Sequence, residues 1–249
     1  MNLEVFNIIC LVWTIFGISS FVLLQFVRAP YGRHIKKGWG PEISNKIGWI
    51  VMELPSFLIL LYFTIISSQS NYAFMLSSLW LLHYFNRTFI YPFRIHTKRK
   101  KIPLAIVISA IFFNTVNASL NGYFLSVLEQ YDSFSFQHWN FYLGLILFVI
   151  GFIINQISDT LLIRLRKPGE IGYKIPKKFL FKYISCPNHF GELTQWAGFA
   201  IMACNFPSLT FFIWTAANLL PRAAGHHQWY QKHFANYPKN RKALIPKIW

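Results

Sequence analysis

Glu53 sits a few residues inside a long apolar run, in the segment Met52-Glu53-Leu54-Pro55-Ser56-Phe57. An ionisable group at such a depth is expensive, so it is a functional candidate by default. Its alternative role is to pair with Arg87, the one cation inside another apolar run. Arg87 lies four residues after His83 and three after Tyr84, so the three lie near one helical face. A second group is richer in polar side chains. Asn155 and Asp159 are four apart, and Arg166 continues their stripe; Asn188 and Glu192 repeat the spacing, as do Arg222, His226 and Tyr230. Carboxylates and amides beside arginines suit a polar ligand carrying hydroxyls and phosphates.

Other chemistries lack their residues. Gly38 and Gly40 form the only Gly-x-Gly, with no third glycine three residues on and no strand before it, so there is no dinucleotide fingerprint of the Rossmann type. There is no phosphate-binding Walker loop, no nucleophile elbow and no HExxH. Eight histidines raise the question of a di-iron site. That would need several close-spaced histidine pairs on different helices, and only His226-His227 with His233 approaches it, so no metal is expected. Cys10, Cys186 and Cys204 show neither metal spacing nor a disulfide framework.

The elements that position these groups are read from hydropathy. Of 249 residues, 54% are hydrophobic and 13% charged, too apolar for an average soluble domain. Runs of about 20 apolar residues, enough to cross a bilayer, recur at Val5–Val27, 47–67, 72–92, 103–126 and 139–163. The tract 190–220 is interrupted at Pro207 and splits into two. The expectation is an all-α, polytopic membrane protein of seven spans in a single domain, residues 1–249. Apart from Arg87, every Lys and Arg follows span one, three, five or seven. Under the positive-inside rule the loops after odd spans and the C-terminus are then cytosolic, and the N-terminus is lumenal or periplasmic. The net charge of +16 follows from that topology and from anionic lipid rather than from nucleic acid. Tyr31 and Gly32, in an irregular loop after the first span, belong to a connector or to a pocket wall. Asn114, Asn117 and Asn121 serve as glue between helices or as ligand contacts.

Several blocks in one order resemble the steroid 5α-reductase family: PYGRH, ELPSF, HYFNRTFIYP, the Asn-x-x-x-Asp of NQISD, LRKPGEIGYKIP, NHFGE, RAAGHHQWY and YPKNRKALIP. The resemblance implies a seven-span enzyme that uses NADPH to reduce the double bond of a 3-oxo-4-ene steroid. It implies that Glu53 and Tyr84 hold the steroid ketone. It places Asn155, Asp159, Arg166, Tyr173, Asn188, Glu192, Arg222, His226 and Tyr230 at the NADPH pocket, with Arg87 and Tyr91 as further positions. The mammalian members carry Gln before the acid, where this chain has Met52. The Arg94–Lys101 segment aligns poorly, so no phosphate contact is carried over from it.

The chemistry fits these residues. Reducing an enone needs hydride at the β carbon and an acid near the ketone oxygen; a neutral Glu53 hydrogen-bonded to Tyr84 could donate to that carbonyl. The expected arrangement is one cavity, entered by NADPH from the cytosol between spans five to seven and by the apolar substrate from the lipid. The expected setting is the endoplasmic reticulum in a eukaryote or the inner membrane in a bacterium, as a monomer. Competing readings are an S-adenosylmethionine-dependent membrane methyltransferase, a reductase of enoyl-CoA or polyprenol, and a sterol-binding protein without catalysis.

Overall fold

The computed structural model describes residues 1–27, 38–67, 69–95, 100–129, 131–166, 170 and 172–249. Tyr31, Gly32 and Lys167–Gly169 lie outside them. Helices dominate: α1 (Leu3–Phe26), α2 (Asn45–Ile66), α3 (Asn71–Phe85), α4 (Tyr91–Arg94), α5 (Leu104–Tyr123), α6 (Trp139–Arg164), α7 (Pro187–Ala203) and α8 (Phe206–His233). Among the described residues, four are long and apolar enough to cross a membrane: Leu3–Phe26, Asn45–Ile66, Leu104–Leu128 and Trp139–Arg164. α3 has 15 residues, α7 has 17, and α8 turns polar in its second half. Long rows of exposed apolar side chains, such as Ile8, Leu11, Ile15 and Phe16 on α1, have the character of lipid-facing surface.

The chain folds as two compact units. The first comprises Met1–Leu11, Ala29–Tyr142 and Asn205–Ser208. Its frame is α2 against α5. Two short strands, β1 (Glu42–Ser44) and β2 (Lys101–Pro103), pair antiparallel and lead directly into these helices. Gly48 meets Ile102 and Val107 near the helix starts, Ser56 meets Asn114 at mid-length, and Phe63 meets Gly122 near the ends. The two helices therefore run parallel, and α3 returns the chain between them. An unbroken helical path from Asn71 to Arg94 makes that return, with a π segment (Asn86–Ile90) joining α3 to α4. Pro92 has no N–H to give the preceding turn, and Tyr91 N–H reaches back to Asn86 O in the wider π pattern.

The second unit comprises Val12–Arg28, Leu143–Cys204 and Leu209–Trp249. α6 and α7 pack antiparallel with their backbones almost in contact. A Cβ on Gly144 would lie 2.6 Å from Gly198 O, and one on Gly191 would lie 2.5 Å from Asn155 N. A Cβ on Gly151 would collide with Gln195 N. Small residues at helix contacts are how membrane helices gain close packing where no hydrophobic difference drives association. Cys204 caps α7 in the left-handed region, φ 47°, and turns the chain into α8 within two residues. The break expected at Pro207 thus falls just before that proline.

Candidate functional site

The first unit contains Glu53, Tyr84, Arg87 and Tyr91. Arg87 projects from the π segment, with Nη2 3.6 Å from Glu53 Oε1, and both side chains are 13% exposed. Its guanidinium lies 4.9 Å from the Trp49 ring centre and 5.0 Å from that of Tyr91. The two rings are 5.2 Å apart. Cation–π contact holds Arg87 without removing its charge. The pairing weighed in the sequence as an alternative to function is therefore present, and it leaves a cation next to the acid. Tyr84 is buried and stacks on Trp80, ring centres 5.4 Å apart, with His83 edge-on at 5.2 Å.

The second unit gathers the polar stripes of α6, α7 and α8. Close approach at Gly151 and Gly191 brings Asn155 against α7, where its Nδ2 donates to Asn188 O at 3.1 Å and Glu192 Oε2 at 3.4 Å. Asn155 and Asp159 are both buried. Arg166 does not extend their stripe as a helical residue. α6 ends at Arg164. Arg166 instead donates to Gly172 O at 3.3 Å and lies 5.5 Å from the Tyr173 ring centre. Gly172 takes φ 101°, a backbone conformation that glycine adopts without a Cβ clash. Tyr173 meets Trp229 of α8 edge-on at 4.9 Å. On α8, His226 faces His189 at 5.7 Å, and Tyr230 stacks on Tyr237 of the tail at 5.2 Å. Arg222 lies half-buried on the same helix.

The tail is built into this unit. Ser185 N–H donates to Lys242 O at 2.8 Å, Lys242 N–H to Tyr183 O at 2.9 Å, and Cys186 N–H to Ala243 O at 3.1 Å. Leu244 fills the space between Cys186 and Ala223. Ser185 Oγ donates to Lys242 O at 3.1 Å and sits 2.6 Å from both His227 Nδ1 and Tyr237 OH. Gln231 Nε2 faces His227 Nε2 at 2.9 Å. A neutral His227 that accepts from Gln231 and donates from Nδ1 to Ser185 satisfies every group. Burial, then the charges of Arg241 and Lys242, hold the His227 pKa below its usual value. The unfolded chain therefore takes up a proton that the folded chain refuses. The resulting stability is present above about pH 6.5 and is lost as pH falls below it. Melting curves from pH 8 to 5 should show an acid-side drop in Tm that His227→Gln flattens; an unchanged slope in that variant would remove His227 as the cause.

The 3-oxo-5-alpha-steroid 4-dehydrogenase family matches residues 100–249. A steroid 5-alpha-reductase of Gossypium hirsutum is 40% identical over 243 residues, covering 94% of each chain. The 3-oxo-5-alpha-steroid 4-dehydrogenase 1 of Rattus norvegicus is 37% identical over 233 residues, covering 92% of this chain and 90% of its own. The 3-oxo-5-alpha-steroid 4-dehydrogenase 2 of Homo sapiens is 35% identical over 240 residues, covering 94% of each. The chain belongs to the steroid 5-alpha-reductase family. It is therefore an oxidoreductase by family, which favours reduction over methyl transfer.

Within this family member, the residues chosen for their polarity are divided between the two units. Residues not singled out join them: Trp49 and Trp80 in the first, and Ser185, Tyr237 and Arg241 in the second. Trp49 and Trp80 carried no distinguishing signal among nine tryptophans. The glycines did carry one. Gly144 and Gly151 are seven apart, as are Gly191 and Gly198, which puts each pair on one helical face.

Proposed function

We propose that this protein reduces the 4,5 double bond of a 3-oxo-4-ene steroid, or a similar lipid enone, with NADPH, in a membrane of seven spans. The observation that carries the reading is Glu53, a partly buried acid on an apolar helix, facing Arg87 and belonging to the same unit as Tyr84. The relatives named for steroids lend the substrate class.

A ketone oxygen in the first unit would meet groups able to stabilise negative charge. Tyr84 can donate its hydroxyl, Glu53 in its acid form can donate likewise, and the Arg87 guanidinium adds charge beside them. Donors aimed at the oxygen that becomes an enolate lower the barrier, because they are stronger in the transition state than before it. A bound NADPH would supply the hydride. In the second unit the donor set fits such a dinucleotide. Arg166 and Arg222 suit phosphate oxygens, Asp159 and Glu192 suit ribose hydroxyls or an amide, and Tyr173, Tyr230 and His226 offer rings and polar edges. Asn155 and Asn188, already tied to each other, hold α6 to α7.

The parallel course of α2 and α5 supports the topology. Two parallel helices in a membrane need a returning segment, and at 1.5 Å per residue the path from Asn71 to Arg94 spans about 35 Å. α7 and the apolar first half of α8, joined by a tight turn, are proposed as the sixth and seventh spans, with the loops after odd spans, the polar half of α8 and the C-terminus cytosolic.

The test is NADPH oxidation by the purified protein against a panel of steroid and non-steroid enones, with product mass. A product that has gained two hydrogens across the double bond is expected; no oxidation with any enone would overturn the reading. Asp159→Ala and Arg166→Ala should each weaken dinucleotide affinity about tenfold, equivalent to about 1.4 kcal/mol. Titration of intrinsic fluorescence with NADPH measures it, and unchanged affinity in both variants would remove these residues from the pocket.

A further inference from the structure

The turn of α2 that carries Glu53 is weakened by its own sequence. Pro55 has no N–H, so the carbonyl of Val51 loses its helical donor. Two buried side chains from other helices hold that turn, and Ser56 of α2 bonds one of them. Asn114 Nδ2 on α5 donates to Met52 O at 2.5 Å, and Ser56 Oγ donates to Asn114 Oδ1 at 3.0 Å. Trp80 Nε1 on α3 donates to Ser56 O at 3.2 Å. Ser56 and Trp80 are fully buried and Asn114 is 3% exposed. In such a setting a lost partner leaves a polar group unpaired, so the bonds are not readily exchanged.

The chain of cause runs through one peptide plane. Met52 C=O and Glu53 N belong to the same rigid unit. An amide that fixes that carbonyl fixes the direction from which the Glu53 side chain leaves the backbone. Trp80 closes the network at the other candidate, because its ring stacks on Tyr84. Asn121, by contrast, has the same residue type on the same helix but donates to Asn117 O and Pro207 O, away from the Glu53 turn. Both asparagines are helix-to-helix glue by position; only one is attached to the turn with the acid.

We propose that Asn114 is a positioning residue for the reduction: through Met52 O it sets the orientation of Glu53, with Ser56 holding the amide and Trp80 linking the same turn to Tyr84. This rests on Glu53 holding the substrate ketone, so Glu53→Gln is measured in parallel. Asn114→Ala and Asn114→Leu both lose the donor to Met52, and the leucine keeps nearly the same volume. Each should lower kcat for enone reduction by about tenfold to a hundredfold, the scale of a small misplacement of a reacting group. KM for the enone and Kd for NADPH should stay within about threefold, as expected when only transition-state contacts are lost. Ser56→Ala, which spares the Met52 bond, should reduce kcat less than either. Asn121→Ala should lower Tm comparably while kcat stays within about twofold, because it breaks an interhelical bond that does not reach the site. Trp80→Phe keeps the ring but not the indole donor and gives a second route to the same loss if the Asn114 variants do not fold; a normal kcat in it would then count against the network. Normal kcat in both Asn114 variants, or an equal fall in Asn121→Ala, would overturn the proposal. Full activity in Glu53→Gln would instead overturn the function of Glu53 itself.

Discussion

Glu53→Gln and Tyr84→Phe will each lower kcat by about two to three orders of magnitude, the range seen when a donor to a developing oxyanion is removed. Dinucleotide affinity should stay within about twofold, because both residues lie in the first unit, whereas most of the proposed dinucleotide contacts lie in the second. An amide keeps the size of Glu53 but has no acidic proton to give to the ketone, while Arg87 keeps Trp49 and Tyr91 as neighbours. Stopped-flow reduction separates the hydride step from product release and reads the loss directly. Near-normal single-turnover rates in both variants would remove the acid and the tyrosine from the chemistry.

Gly151→Val will cost the second unit about 3 kcal/mol or more, the upper part of the range for overpacking. The obstacle is backbone: Gln195 N and Gly191 O stand where the new side chain must go. Rotamer changes cannot relieve that, so α6 and α7 must separate, and Asn155 must leave Asn188 and Glu192. For a chain of this size the shift in Tm is about 6–12 °C. Gly17→Ala is the milder comparison, since its Cβ would meet only the ring of Trp214 at 3.1 Å. Differential scanning fluorimetry in detergent decides it; an equal, small shift in both would mean that α6 and α7 tolerate separation.

Much of the helical layout is legible in hydropathy, because a membrane demands long apolar segments whatever packs against them. Starts and ends of the runs at Val5–Val27, 47–67, 103–126 and 139–163 fall within a few residues of helices, whereas α3 gives way to a π segment at Asn86, α8 continues past residue 220 to His233, and the break between α7 and α8 sits at Cys204 rather than Pro207. Three features needed tertiary information. The strand pair Glu42–Ser44 and Lys101–Pro103 is too short to show a period of two. The π segment that aims Arg87 has no propensity of its own. The tail reads as basic and proline-punctuated, but Lys242 finds its partners 57 residues upstream, at Ser185. The candidate residues themselves were legible because buried charge is rare in apolar helices. Their supports were not, because a tryptophan or asparagine among many others looks like packing.

Synthesis order gives the tail pairing a temporal meaning. Ser185 leaves the ribosome 57 residues before Lys242, the residue whose carbonyl accepts its hydroxyl. At 5–20 residues per second that interval is about 3–11 s. Throughout it, the amides of Ser185 and Cys186 lack their acceptors, Leu244 has not yet filled its space beside Ala223, and α7 begins without the tail segment that later pairs just before it. Completion of the second unit therefore waits for the end of synthesis: the pairing at the start of α7 closes only when the final stretch of chain arrives.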